Sequence, residues 1–235
     1  QPCVYCCMLL QGLRNLAAKL QAGRGQPPAP HSACWAPTVN VYWGHGGYAH
    51  PCCANRAQTY GRYPEQSVAE ILASPVRHQM AEALSQDAYP TGCAGCKAAA
   101  ENPQGPQPLA AAFDAQAPAC LPRSLGASPE PVVNKMEFEL HNTCNLECVM
   151  CSGVFSSSIR KNREGRPPIP FVYDEAFVNQ LKPYMAQLEF AGFYGGEPLL
   201  IDLYYAIWDQ LLAVNPNCKL YVQTNGTILN QKVRK

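Results

Sequence analysis

Apolar and polar residues alternate most clearly over residues 133–140, which read VNKMEFEL. In an extended chain, successive side chains point to opposite faces, so this stretch has one apolar and one charged face. The residues on the two faces are Met136, Phe138 and Leu140 against Lys135, Glu137 and Glu139. The pattern predicts a β-strand, and the stretches LEFAGFYGG and KLYVQTNG further along the chain predict two more.

Two stretches between these strands repeat apolar residues at helical spacing. Phe177, Leu181 and Met185 predict a helix over residues 174–187. Residues 199–213 predict a second helix with one apolar stripe, formed by Leu200, Leu203, Tyr204, Ile207 and Leu211. The order strand–helix–strand–helix–strand is that of a parallel α/β sheet. The loops that follow such strands share one edge of the sheet, where functional residues usually lie.

The N-terminal half predicts a separate, smaller unit over residues 31–102. Here TVNVYW predicts a strand and GHGG a turn, while SVAEIL and VRHQMAEALSQ predict two helices, the first with Ser67 as its N-cap. Residues 103–131 are rich in proline and predict a linker. Residues 1–30 contain a short helical pattern, and residues 132–235 contain the parallel sheet.

Composition narrows the classes of partner. Of the 235 residues 47% are hydrophobic, and 18 Lys and Arg against 17 Asp and Glu give a net charge of +1. That balance predicts no nucleic-acid partner and no acidic membrane surface. The apolar runs are shorter than a membrane span, and residues 1–10 lack the plan of a signal peptide.

The chain contains 13 cysteines, which is a high number for its length. A secreted disulfide scaffold is the alternative, but such chains are typically shorter and have an even number of cysteines. Clustering at short spacing favours metal sites in a reducing, cytoplasmic compartment. The tightest cluster, CNLECVMC, places Cys144, Cys148 and Cys151 at C-x3-C-x2-C spacing directly after the first strand of the parallel sheet.

Three cysteines suit a 4Fe–4S cube that keeps one iron open to a cofactor or substrate. A zinc loop is the alternative, and because structural zinc takes four ligands, His141 is the candidate for the fourth. GGEP follows the second strand and TNG follows the third. All three motifs are therefore expected at one edge of the sheet.

The cysteine loop, GGEP and TNG, in this order after successive strands, resemble the radical S-adenosylmethionine enzymes over about residues 132–230. The resemblance implies a partial (βα) barrel in which Cys144, Cys148 and Cys151 hold three irons of a 4Fe–4S cluster. S-adenosylmethionine would chelate the fourth iron. Its reductive cleavage would give a 5′-deoxyadenosyl radical that abstracts hydrogen from a substrate.

The same resemblance implies roles for residues beside the cofactor. Gly195 and Gly196 would bring backbone close to the methionyl ammonium, and Glu197 would offset its charge. Asn225 would help to orient the cofactor. Met150 would pack beside the adenine, where the family usually has an aromatic residue.

Residues 31–98 resemble a twitch domain, which is a shortened SPASM domain with an auxiliary 4Fe–4S cluster. The resemblance rests on HSACWAPTVNVYWGHGGYAHPCC, SVAEILASPVRHQM and YPTGCAGC. It implies a small α+β cysteine-rich iron–sulfur domain before the barrel, although such domains more often follow it. The four ligands would be Cys34, Cys52, Cys93 and Cys96. The glycine spacing favours Cys52 over Cys53, and a four-cysteine zinc site is the alternative.

The resemblance to the twitch and SPASM domains implies a peptide or protein side chain as the substrate, with a small molecule as the other class. An electron donor such as flavodoxin or ferredoxin is implied as a partner. The alternative function is a non-catalytic iron–sulfur electron-transfer protein or zinc-binding protein.

The family's barrel has six strands, whereas three are predicted after residue 132. We therefore expect a fragment truncated at its C-terminus, poorly soluble and without substrate turnover. In such a fragment KLYVQTNG would be an unpaired edge strand. Its cavity would be open to water and lined by Glu137, Glu139, Tyr221 and Gln223.

Overall fold

Four strands pair in parallel and two more join them in antiparallel fashion to form a mixed six-stranded sheet. The computed structural model describes residues 32–102, 104–116, 133–228 and 233. The strands are β1 (Asn40–Gly44), β2 (Tyr48–His50), β3 (Gly61–Arg62), β4 (Lys135–Glu139), β5 (Phe190–Phe193) and β6 (Lys219–Val222). Their order across the sheet is β3–β2–β1–β4–β5–β6, and the predicted α/β class is confirmed.

The two cysteine-bearing segments share this sheet because β1 pairs in parallel with β4. The register runs from Asn40 opposite Lys135 to Gly44 opposite Glu139. The Tyr173 hydroxyl donates a hydrogen bond to the carbonyl oxygen of Gly44 at 2.6 Å, which ties the segments together a second time. The cysteine-bearing segment that contains β1 and the one that contains β4 are therefore joined by backbone pairing within one compact unit.

Helices form at the four stretches where the apolar periodicity predicts them, and three short helices are additional. Thr38 and Val39, predicted as the start of a strand, belong to one of the additional helices. The helices are α1 (Ala36–Val39), α2 (Val68–Leu72), α3 (Pro75–Ser85), α4 (Ala94–Ala100), α5 (Ser157–Asn162), α6 (Glu175–Met185) and α7 (Asp202–Val214). Ser67 and Glu70 form a capping box at the start of α2, which confirms Ser67 as its N-cap. Asp174 caps α6 by accepting a hydrogen bond from the backbone N–H of Phe177 at 2.9 Å.

The apolar face of the sheet forms the core together with α6 and α7. Met136 and Phe138 are fully buried, and the ring of Phe138 stacks on that of Phe193 at 5.1 Å between centroids. The stripe predicted on α6 is buried as well, since Phe177 and Leu181 have no exposed surface. Burial of each such side chain contributes about 1.5–3 kcal/mol, so this face is the main source of stability.

The charged face of β4 is also buried. The prediction that its two carboxylates line a cavity open to water is therefore wrong. Glu137 and Glu139 are each 6% exposed. Glu137 accepts a hydrogen bond from Asn40, and Glu139 accepts hydrogen bonds from Tyr42 and Arg56. These partners come from β1 and from the loop after β2, and a local pattern on β4 gives no sign of them.

Strand β6 lies at one edge of the described sheet, as the sequence predicts. Leu220 is 42% exposed and Tyr221 is 47% exposed, while Val222 is partly buried. On the polar face, Gln223 is exposed just beyond the end of the strand.

Part of the predicted linker is packed against the sheet. A 3₁₀ helix spans Leu109–Gln116, in which Phe113 is 2% exposed and Ala110 is 6% exposed. The Lys135 ammonium lies 4.4 Å from the centre of the Phe113 ring, close enough for a cation–π contact. The prolines indicate a linker, but the apolar run LAAAF offers surface whose burial stabilises a packed conformation.

Several sequence predictions lie outside the described residues. They are the helical pattern of residues 1–30, the second half of the linker, and the cysteines Cys3, Cys6, Cys7 and Cys120. Throughout the described ranges, every helix is too short or too polar to cross a membrane.

Candidate functional site

The loops that follow β4, β5 and β6 meet at one edge of the sheet, as the motif order predicts. The backbone N–H of Gly196 donates to the carbonyl oxygen of His141 at 3.3 Å, and that of Glu197 to Thr143 at 2.7 Å. The Asn225 side chain donates to Asn145 Oδ1 at 3.0 Å. The cysteine loop is therefore held from one side by GGEP and from the other by TNG.

Three consecutive serines fix the path of the cysteine loop. The backbone N–H of Cys144 donates to Ser157 Oγ at 3.0 Å, and Ser158 Oγ donates to the carbonyl oxygen of Cys144 at 2.7 Å. Ser156 donates to the carbonyl oxygen of Leu146 at 2.7 Å and also caps α5. The sequence analysis missed these residues, although a serine run before a helix is a capping signal.

The tip of the cysteine loop is open to solvent and apolar. Cys148 is exposed, and Cys144 and Cys151 are partly buried. Val149 is 90% exposed and Met150 is 86% exposed. Large apolar side chains at such exposure are unusual unless another molecule covers them. The loop therefore presents its thiols and Met150 together on an accessible surface.

The glycine pair is required by its contact with the cysteine loop. Gly195 has a φ of +104°, and a Cβ at this position would lie 2.4 Å from the carbonyl oxygen of His141. A Cβ on Gly196 would lie 2.2 Å from the carbonyl oxygen of Thr143. Both glycines therefore allow the close approach of two backbones.

Glu197 joins two of the three loops through its side chain. It has no exposed surface. One carboxylate oxygen accepts from the backbone N–H of Leu199 at 3.0 Å and from the Thr224 hydroxyl at 2.8 Å. The other accepts from the backbone N–H of Asn225 at 2.7 Å. With both oxygens engaged inside the protein, the carboxylate holds the TNG loop in place.

Asn225 lies beside the cysteine loop. Its side-chain nitrogen is 4.0 Å from Cys144 Sγ, and its side-chain oxygen accepts from the backbone N–H of Thr227 at 3.0 Å. The structure thus brings Asn225 to the predicted cluster loop.

Both ring nitrogens of His141 are engaged. They lie 2.6 Å from the Thr143 hydroxyl oxygen and 2.8 Å from the carbonyl oxygen of Ile169. Ligation of zinc by His141 would break one of these hydrogen bonds.

The second cysteine set lines one largely apolar pocket, closed partly by the 3₁₀ helix Leu109–Gln116. The lining includes all four predicted ligands, namely Cys34, Cys52, Cys93 and Cys96. Cys53 is exposed and does not line this pocket. The geometry therefore agrees with the choice of Cys52 over Cys53.

Burial favours the neutral form of two thiols of this pocket, Cys34 and Cys52. It raises the pKa of Cys34 to about 12, partly opposed by a hydrogen bond from the backbone N–H of Ala36 and reinforced by neighbouring thiols. Burial likewise raises the pKa of Cys52 to about 11. A bound cation reverses this preference because it stabilises thiolates directly. The pocket therefore suits a cationic metal group more than free thiolates.

A buried polar network lies on the face of the sheet opposite the helices. Glu139 accepts from the Tyr42 hydroxyl at 2.6 Å and from Arg56 at 3.1 Å, and His45 Nδ1 lies 3.2 Å away. Burial opposes ionisation of Glu139, but His45, Arg56 and Tyr42 outweigh it and lower its pKa. Burial raises the pKa of Cys53 beside this network, Glu137 and Glu139 add to the effect, and Arg56 opposes it. Sequence reasoning missed Tyr42, His45 and Arg56 because their shared partner is distant in the chain.

Within the described ranges, no three His, Cys, Asp or Glu side chains are close enough to hold a metal ion. A four-iron cube requires a different arrangement, in which each thiolate binds its own iron.

No family model, curated protein or solved structure matches this chain.

Proposed function

We propose that this chain is a radical S-adenosylmethionine enzyme with an auxiliary 4Fe–4S cluster. The observation that supports this most is the convergence of CNLECVMC, GGEP and TNG at one edge of a parallel sheet, joined through Glu197 and Asn225. An electron carrier has no need of a glycine pair and a buried carboxylate that organise two further loops around its cysteines. In this proposal β4, β5 and β6 belong to a partial barrel that follows the auxiliary-cluster domain.

Cys144, Cys148 and Cys151 would hold the cluster that binds S-adenosylmethionine. When bound, the cluster would supply the single electron that splits the sulfonium of S-adenosylmethionine and gives the 5′-deoxyadenosyl radical. The serines at 156–158 hold the loop in place, and exposed Met150 offers an apolar surface for the adenine. Glu197 accepts a hydrogen bond from the backbone of Asn225, and in this scheme its carboxylate would also offset the charge of the methionyl ammonium.

Cys34, Cys52, Cys93 and Cys96 would hold the auxiliary cluster. Four ligands close the cube, so this site suits electron transfer. The substrate class favoured by the resemblance is a peptide or protein side chain, and the electron donor is a flavodoxin or ferredoxin in the cytoplasm. A zinc-binding or non-catalytic iron–sulfur protein is the competing proposal.

Anaerobic reconstitution with iron and sulfide separates these proposals. Two cubes predict about eight irons per chain. Replacement of Cys144, Cys148 and Cys151 by Ala should remove about half of the iron, and replacement of the four auxiliary cysteines should remove the other half. The reduced wild-type protein should cleave S-adenosylmethionine to 5′-deoxyadenosine, whereas the first variant should not.

A matched control is Cys218→Ala, because Cys218 is buried in the apolar core and belongs to neither cysteine set. It should leave the iron content unchanged. Zinc in place of iron, or full iron without cleavage of S-adenosylmethionine, would contradict the proposal.

A further inference from the structure

Asn55 lines the auxiliary cysteine pocket and contacts one of its thiols. Its side-chain nitrogen donates a hydrogen bond to Cys93 Sγ at 3.3 Å. Burial raises the pKa of Cys52, and the backbone N–H groups of Asn55 and Ala54 oppose this effect. One residue outside the predicted ligand set thus places a side-chain donor at one of the four sulfurs.

The orientation of the Asn55 amide is fixed by three partners. The nitrogen also donates to the carbonyl oxygen of Thr91 at 2.9 Å, and the oxygen accepts from the backbone N–H of Gln58 at 3.1 Å. Because a carbonyl oxygen only accepts and a backbone N–H only donates, this amide has one possible orientation. The nitrogen therefore faces Cys93.

The chain around Asn55 is built for this contact. Asn55 is 2% exposed, so its polar groups depend on protein partners. Gly92 has a φ of +88°, and a Cβ there would lie 2.2 Å from Asn55 Oδ1. The glycine before Cys93 therefore leaves the space that the Asn55 side chain occupies. The C-x2-C stretch and the Asn55 loop pack as one unit.

We propose that Asn55 is a positioning residue that raises the reduction potential of the auxiliary 4Fe–4S cluster, which deepens and rests on the proposed function. Reduction adds negative charge to the cube and its thiolates. Donors aimed at the sulfurs stabilise that charge, and hydrogen bonding to sulfur is a principal determinant of cluster potential. Asn55 supplies such a donor to Cys93 through its side chain.

The test measures the midpoint potential of the auxiliary cluster by an anaerobic redox titration followed by electron paramagnetic resonance. The full chain carries Cys144→Ala, Cys148→Ala and Cys151→Ala in every sample, so that the auxiliary signal stands alone. Asn55→Ala removes the side-chain donor and keeps the backbone one. The reduced-to-oxidised ratio at a fixed potential should fall about tenfold, equivalent to a midpoint about 59 mV lower.

Two further variants make the result specific. Asn55→Ser fills more of the space than Ala does and should lower the midpoint in the same direction, which keeps the test decisive if Asn55→Ala assembles poorly. Gln58→Ala is the matched control, because Gln58 contacts Asn55 through its backbone N–H and should leave the midpoint unchanged. Greater solvent access alone would raise the midpoint, since water stabilises the more negative reduced state. A lower midpoint therefore separates a lost donor from a loosened pocket.

The outcomes separate this inference from the proposed function. A cube that assembles with an unchanged or higher midpoint in the Asn55 variants overturns the role of Asn55 and leaves the auxiliary site standing. A chain without iron in this pocket overturns the auxiliary site and the role of Asn55 together.

Discussion

At the scale of single residues, the loops of the candidate site depend on buried polar groups more than on apolar contact. Glu197 is the clearest case, because three donors from two segments converge on one carboxylate without solvent access. A buried charge of this kind is stable only while its hydrogen bonds are complete. The geometry of TNG beside the cysteines therefore depends on a residue that touches neither the thiols nor solvent.

Glu197→Gln tests this dependence. Gln keeps the size of the side chain but replaces one acceptor oxygen by an NH₂ donor. That donor would face another donor, which is the backbone N–H of Leu199 or Asn225 or the Thr224 hydroxyl. We expect the free energy of unfolding to fall by about 1.5–3 kcal/mol, measured by urea denaturation. Glu189→Gln, at an exposed position before β5, is the control and should change stability little. Wild-type stability combined with roughly tenfold weaker S-adenosylmethionine binding would instead assign the carboxylate to the cofactor.

At the scale of elements, the sequence predicts what depends on local periodicity. The alternation of Met136 and Phe138 with Glu137 and Glu139 identifies β4, and the i, i+4 spacing of Phe177 and Leu181 identifies α6. The caps Ser67 and Asp174 are local too. Ser67 was predicted as a cap from its position before an apolar run.

The partners of these elements could not be predicted in this way. The pairing of β1 with β4 joins positions that are far apart in the chain, and no period in either strand encodes it. Glu137 and Glu139 were expected to face water because alternation distinguishes two faces but not what covers each one. At the cysteines, the spacing is local and could be predicted. The hydrogen-bond donors of Asn55 and of the serines at 156–158 come from other loops and could not.

Strand β6 gives a prediction at this scale, because its outer edge carries exposed apolar residues. Such an edge favours pairing with another chain. Leu220→Lys places a charge on the edge, and we expect it to reduce concentration-dependent self-association measured by light scattering. Leu212→Lys is the matched control, since Leu212 is 58% exposed on α7, away from any strand edge. Equal association in the two variants would contradict an edge-mediated contact.

At the scale of the whole molecule, the N-terminal cysteine segment and the parallel sheet share a core. Trp43 of β1 packs edge-to-face on Phe177 of α6 at 5.0 Å between ring centres. The Tyr63 hydroxyl donates to Asp174, the cap of α6. Ile71 of α2 belongs to the same apolar cluster. The segment that its motifs mark as a small cysteine-rich unit therefore packs into the same apolar core as the parallel sheet.

This shared core predicts that both parts unfold together. Trp43 reports on β1 and Trp208 on α7, and each can be isolated by replacing the other two tryptophans with Phe. The two fluorescence transitions in urea should have the same midpoint and slope, because loss of β1 would expose the hydrogen-bonding edge of β4. Ile71→Val removes one buried methyl group from the N-terminal part. It should lower the stability reported by Trp208 by about 0.5–1.5 kcal/mol, although Trp208 lies on a helix near the other edge of the sheet. Two results together would mean that the cysteine segment folds as an independent domain. The Trp43 fluorescence transition would have its midpoint at a lower urea concentration, and Ile71→Val would leave the Trp208 transition unchanged. The proposed auxiliary cluster would then be coupled to the proposed radical site by electron transfer and not by the fold.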